Sequence, residues 1–156
     1  MATHGEQAYE LFSKAIGEQE GAGEWFLIDQ ERINAFADVT EDHQFIHVDP
    51  EQCKTLSPFG VPIAHGFLTL SLMTLLSSTT EQPRIEGAKM GVNYGGEKVR
   101  FLTPVRSGKR VRGRFKLLSF TERKPGVWEQ RTEFTLEIEG ESKSALIAEW
   151  IGLVYV

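Results

Sequence analysis

The sequence predicts an α+β fold in which a long, strongly twisted antiparallel sheet wraps one apolar helix. Two observations carry this. After Gly66 the segment FLTLSLMTLLSS is apolar on every face, with only small hydroxyl residues interrupting it, as expected of a helix enclosed by other elements. From Met90 onward, apolar residues recur with a period of two in successive runs joined by short turns, the pattern of neighbouring antiparallel strands. A length of 156 residues suits a single domain over 1–156 with one well-formed core.

The elements follow in order. Tyr9, Leu11, Phe12, Ala15 and Ile16 recur at helical spacing, which predicts a helix from about Gly5 to Gly17, broken by Gly17, Gly21 and Gly23. Trp25-Phe26-Leu27-Ile28 is a short apolar run, expected to be a strand buried on both faces. Asp29 is placed to cap the next helix. There, Ile33, Phe36, Ala37 and Thr40 share one face, and the helix ends near Thr40. Asp49-Pro50-Glu51-Gln52 signals another helix start. Asp49 caps, Pro50 occupies the first helical position, and Gln52 reaches back in the manner of a capping box. The segment DHQFIH between these two helices is read as a loop anchored at both ends. Pro58, Gly60 and Pro62 then exclude extended regular structure before the apolar helix.

Beyond it, Met90, Val92 and Tyr94 alternate, as do Val99 and Phe101 after Gly95-Gly96. Val111, Gly113, Phe115 and Leu117 form another run, and Lys124-Pro125-Gly126 a turn. Trp128, Thr132, Phe134, Leu136 and Ile138 lie on its far side. Gly140 ends that strand, and Ser144 to Val156 supplies the last.

Composition narrows the function classes. A net charge of −5 argues against nucleic acid as a partner. The single cysteine, Cys53, can form no internal disulfide, so a reducing, cytoplasmic setting is expected. The opening residues are polar and amphipathic, unlike a secretory signal, and no apolar run approaches the roughly 20 residues that span a bilayer, so no membrane is expected. There is no phosphate loop, dinucleotide-binding glycine pattern or GxSxG elbow.

Chemistry concentrates between Thr40 and Leu76. Asp42 and His47 stand five residues apart between two anchored helix ends. A carboxylate and an imidazole beside one apolar cavity can share a water molecule and move protons as it adds to, or leaves, an activated double bond. The backbone N–H of Gly66, at the start of the apolar helix, is suited to a substrate carbonyl oxygen. His65 is read as a structural histidine bonded to a nearby carbonyl, with a third catalytic role as the alternative. A metal site from Asp42, His43, His47 and His65 would need the loop to be helical, and no metal is expected.

A second constellation is basic. Lys98, Arg100, Arg106, Lys109, Arg110, Arg112, Arg114 and Lys116 occur with no acid among them. This suits a polyphosphate such as the nucleotide end of coenzyme A, or is simply a solvated sheet face.

These motifs resemble the MaoC-like, (R)-specific enoyl-CoA hydratases of the hot-dog fold, most nearly the nodulation protein N-like branch. The carrying stretches are FADVTEDHQFIHVDPE, PFGVPIAHGFLTLSL and GVNYGGEKVRFLTPVRSG. The resemblance implies a homodimer and syn addition of water to a trans-2-enoyl thioester. It places the catalytic pair on Asp42 and His47, the thioester-carbonyl donor on Gly66, and part of the site wall on Asn93 and Tyr94. It implies no cofactor, the substrate being carried as a coenzyme A thioester. Where the broader family reads Asp-x-Asn-Pro-x-His, this chain has Gln44 and Phe45, and an NYGLNKVRF-like stretch reads NYGGEKVRF. A thioesterase on the same fold and a non-catalytic acyl-CoA-binding subunit remain as alternatives.

Overall fold

The computed structural model describes residues 1–18 and 21–156. Helix α1 (His4–Ser13) starts at Thr3, whose side chain and Glu6 form a reciprocal capping box. It stops short of the expected Gly17, and a turn carries the chain to Gly17, whose N–H bonds the Leu117 carbonyl. Strand β1 (Phe26–Ile28) leads into α2 (Gln30–Thr40), capped as predicted by Asp29, which accepts from the Arg32 N–H at 2.8 Å. Next come α3 (Phe45–Val48), α4 (Pro50–Leu56), α5 (Gly66–Ser71) and α6 (Met73–Ser78). Four strands complete the chain: β2 (Met90–Phe101), β3 (Lys109–Lys124), β4 (Val127–Ile138) and β5 (Leu146–Tyr155).

The five strands form one antiparallel sheet in the order β1-β3-β4-β5-β2. Its inward face packs on α5 and α6, which is the α+β arrangement that the apolar helix and the period-two strands predict. The main core joins Leu68, Leu72 and Leu76 of the helical layer to Val111, Phe115, Phe134, Leu136 and Leu146 of the sheet. A second cluster sits under α1, where Ala8 and Phe12 meet Leu117, Phe120 and Trp128. Gly113 lies where the helix rests on the sheet. A Cβ there would come within 2.6 Å of the Phe115 ring and 3.2 Å of Leu76.

Four expectations change. Strand β1 is not buried on both faces: as an edge strand it hides Ile28 and leaves Leu27 exposed. The apolar helix is two helices divided at Leu72, and one face stays open, with Phe67 68% and Leu75 43% exposed. Gly95-Gly96 does not interrupt β2; the strand absorbs it through a register shift between Asn93 and Gly95. The DHQFIH segment is not wholly loop, because Phe45–Val48 winds into a short helical turn. No described helix is long and apolar enough to cross a membrane.

Candidate active site

Two helix boundaries hold the segment that carries the titratable pair. Helix α2 ends at Glu41 in the left-handed region (φ 59°), which turns the chain sharply into Asp42. At the other end Asp49 caps α4, accepting from the Gln52 N–H at 3.0 Å. The Gln52 side chain does reach back, but its amide donates to the Asp49 carboxylate (2.6 Å) instead of capping the backbone. Between them, Gln30 at the start of α2 donates to the His47 carbonyl at 2.7 Å and so ties α3 to α2.

His47 is 6% exposed and His65 3% exposed, and their rings stack with centroids 3.8 Å apart at 23°. Each ring nitrogen facing a carbonyl must be the protonated one. His47 Nδ1 therefore donates to the Ile63 carbonyl (2.7 Å) and His65 Nε2 to the Asp42 carbonyl (3.0 Å). That leaves the Nε2 lone pair of His47 available, while His65 Nδ1 is buried with no partner among the described residues. Burial holds the His47 pKa below its ordinary value; the neighbouring His65 ring adds to this, and the Ile63 bond and Asp42 oppose it. His47 is thus a neutral acceptor near pH 7.

One donor atom from each of Asp42, His47 and His65 lies within 4.8 Å of the others. The two histidines are poor joint ligands, however. Their lone pairs lie in near-parallel stacked planes, so an ion in the plane of one ring falls out of the plane of the other. His43 points elsewhere and pairs with Asp38 at 2.8 Å. His65 takes the supporting position expected of it, holding the backbone of Asp42.

Gly66 opens α5, so its N–H is among the first-turn donors with no partner within the helix. Since the helix divides at Leu72, its macrodipole is that of a short helix, and the N–H itself is the more important feature. The glycine also has a packing reason: a Cβ at 66 would lie 2.9 Å from the Phe101 ring. Beside it is a cleft of about 180 Å³ lined by Ile63, Gly66, Thr69, Phe101 and Val105 among others.

Asn93 and Tyr94 stand apart from this cluster. They line another cleft with Leu70, Met73 and Trp150, and the Trp150 indole donates to Asn93 Oδ1 at 3.0 Å. The basic constellation divides. Arg110 pairs with Glu139, Arg112 and Arg114 share Glu137, and Lys98 reaches Glu149. These residues follow the solvated-sheet reading. Two features escape sequence reasoning, Gln30 as a tie to His47 and the stacking of His47 on His65, because both depend on contacts between segments distant in the chain.

The architecture defines a hot-dog α+β protein. It superposes on a structure titled (R)-hydratase from A. caviae involved in PHA biosynthesis with a TM-score of 0.66 and 23% identity, covering 88% of this chain and 94% of that one. The chain belongs to the MaoC-like family, since the profile described as MaoC like domain matches residues 12–137. It is 47% identical over 141 residues to nodulation protein N of Rhizobium meliloti, covering 90% of this chain and 87% of the relative. It is 44% identical over 137 residues to 3-hydroxyacyl-thioester dehydratase Z of Mycobacterium tuberculosis, covering 88% and 89%. Both the fold and the nodulation protein N-like kinship expected from the motifs are borne out.

Proposed function

We propose that this chain is an (R)-specific enoyl-CoA hydratase/dehydratase acting on trans-2-enoyl thioesters of coenzyme A, with no further cofactor. The observation that supports it most is the Asp42–His47–His65 cluster packed at the start of the central helix, with one imidazole lone pair left open. A 44% identical relative named as a 3-hydroxyacyl-thioester dehydratase adds to it.

In hydration, Asp42 is the principal base and takes a proton from water while the water oxygen bonds the β-carbon. His47 Nε2 shares and orients that water. As the carbon–carbon π bond breaks, the pair returns one proton to the α-carbon on the same face, so no net proton is consumed. The Gly66 N–H donates to the thioester oxygen, where negative charge develops. Asn93 and Tyr94 belong to the substrate-binding wall farther along the helix. Buried Cys53 has no part in the chemistry; its thiol pKa is raised by burial.

Strand β2 leaves its outer edge unpaired, with Met90, Val92, Tyr94 and Phe101 exposed beside Phe67 and Leu75. Apolar exposure along a long edge strand fits pairing with a second copy, giving a homodimer. Sedimentation equilibrium returning the monomer mass would remove that part.

The activity is tested by following loss of enoyl-thioester absorbance with crotonyl-CoA and longer chains, alongside a free-thiol assay. Hydration without thiol release is expected. Thiol release without hydration would favour the thioesterase, and tight binding with neither would favour a non-catalytic subunit.

A further inference from the structure

Three clefts follow one another along the central helices. The first, at Gly66 and Thr69, is bounded by Phe101 of β2. The second is mainly apolar, with Leu70 and Met73 facing Val99, Ala148 and Trp150. The third lies at Thr74 and Ser77 and is bounded by Gly91 and Val92. Helix and strand advance together, and the second and third clefts share Asn93 and Trp150. From Gly66 to Ser77 the groove follows roughly 16 Å of helix axis.

The third cleft, of about 260 Å³, differs in its floor. On the inward face of β4, Phe134, Leu136 and Ile138 belong to the main core and Trp128 to the second. Between those two apolar clusters the same face presents Gln130 and Thr132, with Thr132 only 4% exposed. The hydroxyl of Thr132 receives a long 3.4 Å contact from Gln130. Trp150 holds Asn93 by its oxygen, which leaves the Asn93 amide N–H groups as donors. Gln82 donates to Ser77 and Thr80 through its nitrogen, which leaves its oxygen as an acceptor. Among the described residues, no charged side chain lines the cavity. The polar side chains here are partnered only in part, and the donors and acceptors left over face the cleft, where a polar group of a ligand could meet them.

We propose that this third cleft receives the far end of the acyl chain, and that this end carries a neutral hydrogen-bonding group, a hydroxyl being the simplest. The inference rests on the enoyl-thioester reading above. The thioester sits at Gly66, the apolar middle cleft covers the methylenes, and the amide and hydroxyl side chains meet the terminal group. A terminal carboxylate is disfavoured, since no cation among the described residues of the lining offsets its charge.

The test uses medium-chain trans-2-enoyl-CoA pairs matched in length, one ending in a methyl and the other in a hydroxyl group. At the length that reaches the third cleft, kcat/KM is expected to be about tenfold higher for the hydroxyl member, the worth of one net hydrogen bond. Thr132→Val and Gln130→Leu should abolish the preference, bringing the hydroxyl member's kcat/KM down to that of the methyl member. Gln82→Leu, outside the sheet, should do the same to a smaller degree without risk to the core. Equal kcat/KM at every length in the unsubstituted protein overturns the inference and leaves the proposed reaction standing. If no member is hydrated, the proposed reaction fails instead. Calorimetric titration with saturated ω-hydroxyacyl-CoA and plain acyl-CoA then decides the inference alone, and equal Kd values overturn it.

Discussion

The Asp42–His47–His65 cluster and the Arg110–Arg114 stripe both draw notice in the sequence, yet they are opposite kinds of place in the molecule. On the stripe each cation has found an acid across the strand pair. Glu139 takes Arg110, Glu137 takes both Arg112 and Arg114, and Arg112 also lies 4.4 Å from the Trp25 ring centroid. In the cluster the hydrogen bonding is incomplete: one nitrogen of each imidazole is tied to a carbonyl, and the other has no hydrogen-bond partner among the described residues. Charge density alone marks no site. What separates the two regions is whether polar capacity is spent inside the protein or left over.

The sharpest way to break this comparison is at the cluster. Asp42→Asn or His47→Gln is expected to lower kcat by about 10²–10⁴-fold, with the fold retained by circular dichroism. Unchanged turnover in both variants would sink the catalytic assignment.

Gly66→Ala should come next. Its methyl must displace the Phe101 ring from 2.9 Å, an overpacking that costs about 1–3 kcal/mol in denaturant unfolding. Phe101→Leu in the same chain should recover most of that stability. If the alanine variant is as stable as the parent, the ring does not seat as described.

The third expectation concerns pH. Protonating His47 removes its acceptor, so kcat/KM should fall as pH drops through the His47 value and stay level above it. Because burial and His65 lower that value, the midpoint should lie below the ordinary 6.5. A pH–rate profile with its acid limb centred above 6.5 contradicts this.

The smallest effect belongs to the stripe. Glu137→Gln should leave kcat unchanged and cost less than about 1 kcal/mol, since the pairs are partly exposed. A large loss of activity there would reverse the contrast between the two regions.

Legibility in the sequence followed the range of the interaction. Asp29 and Asp49 were readable as caps because each bonds a backbone N–H three residues on. The helix–sheet plan was readable because apolar period is a local property. The partner of Arg112 was not, because Glu137 is brought beside it only by the register of β3 on β4. For the same reason the separation of Asn93 and Tyr94 from Asp42 was hidden: their neighbours come from β5 and the helices. The short turn at Phe45–Val48 is invisible in the sequence because a four-residue helix has no amphipathic period. The break at Leu72 is equally invisible, because a continuous apolar run looks the same whether or not the helix is divided.

The missing side chain at Gly113 acts as a spacer of zero thickness. With a methyl there, Leu76 and the Phe115 ring could not both keep their seats, and α6 would have to ride higher on the sheet. The height of the floor beneath Thr74 and Ser77 is therefore governed from the opposite side of the helix, by a residue that does not line the groove. Variation at this one position would retune the depth of the groove by shifting Thr74 and Ser77 relative to Gln130 and Thr132.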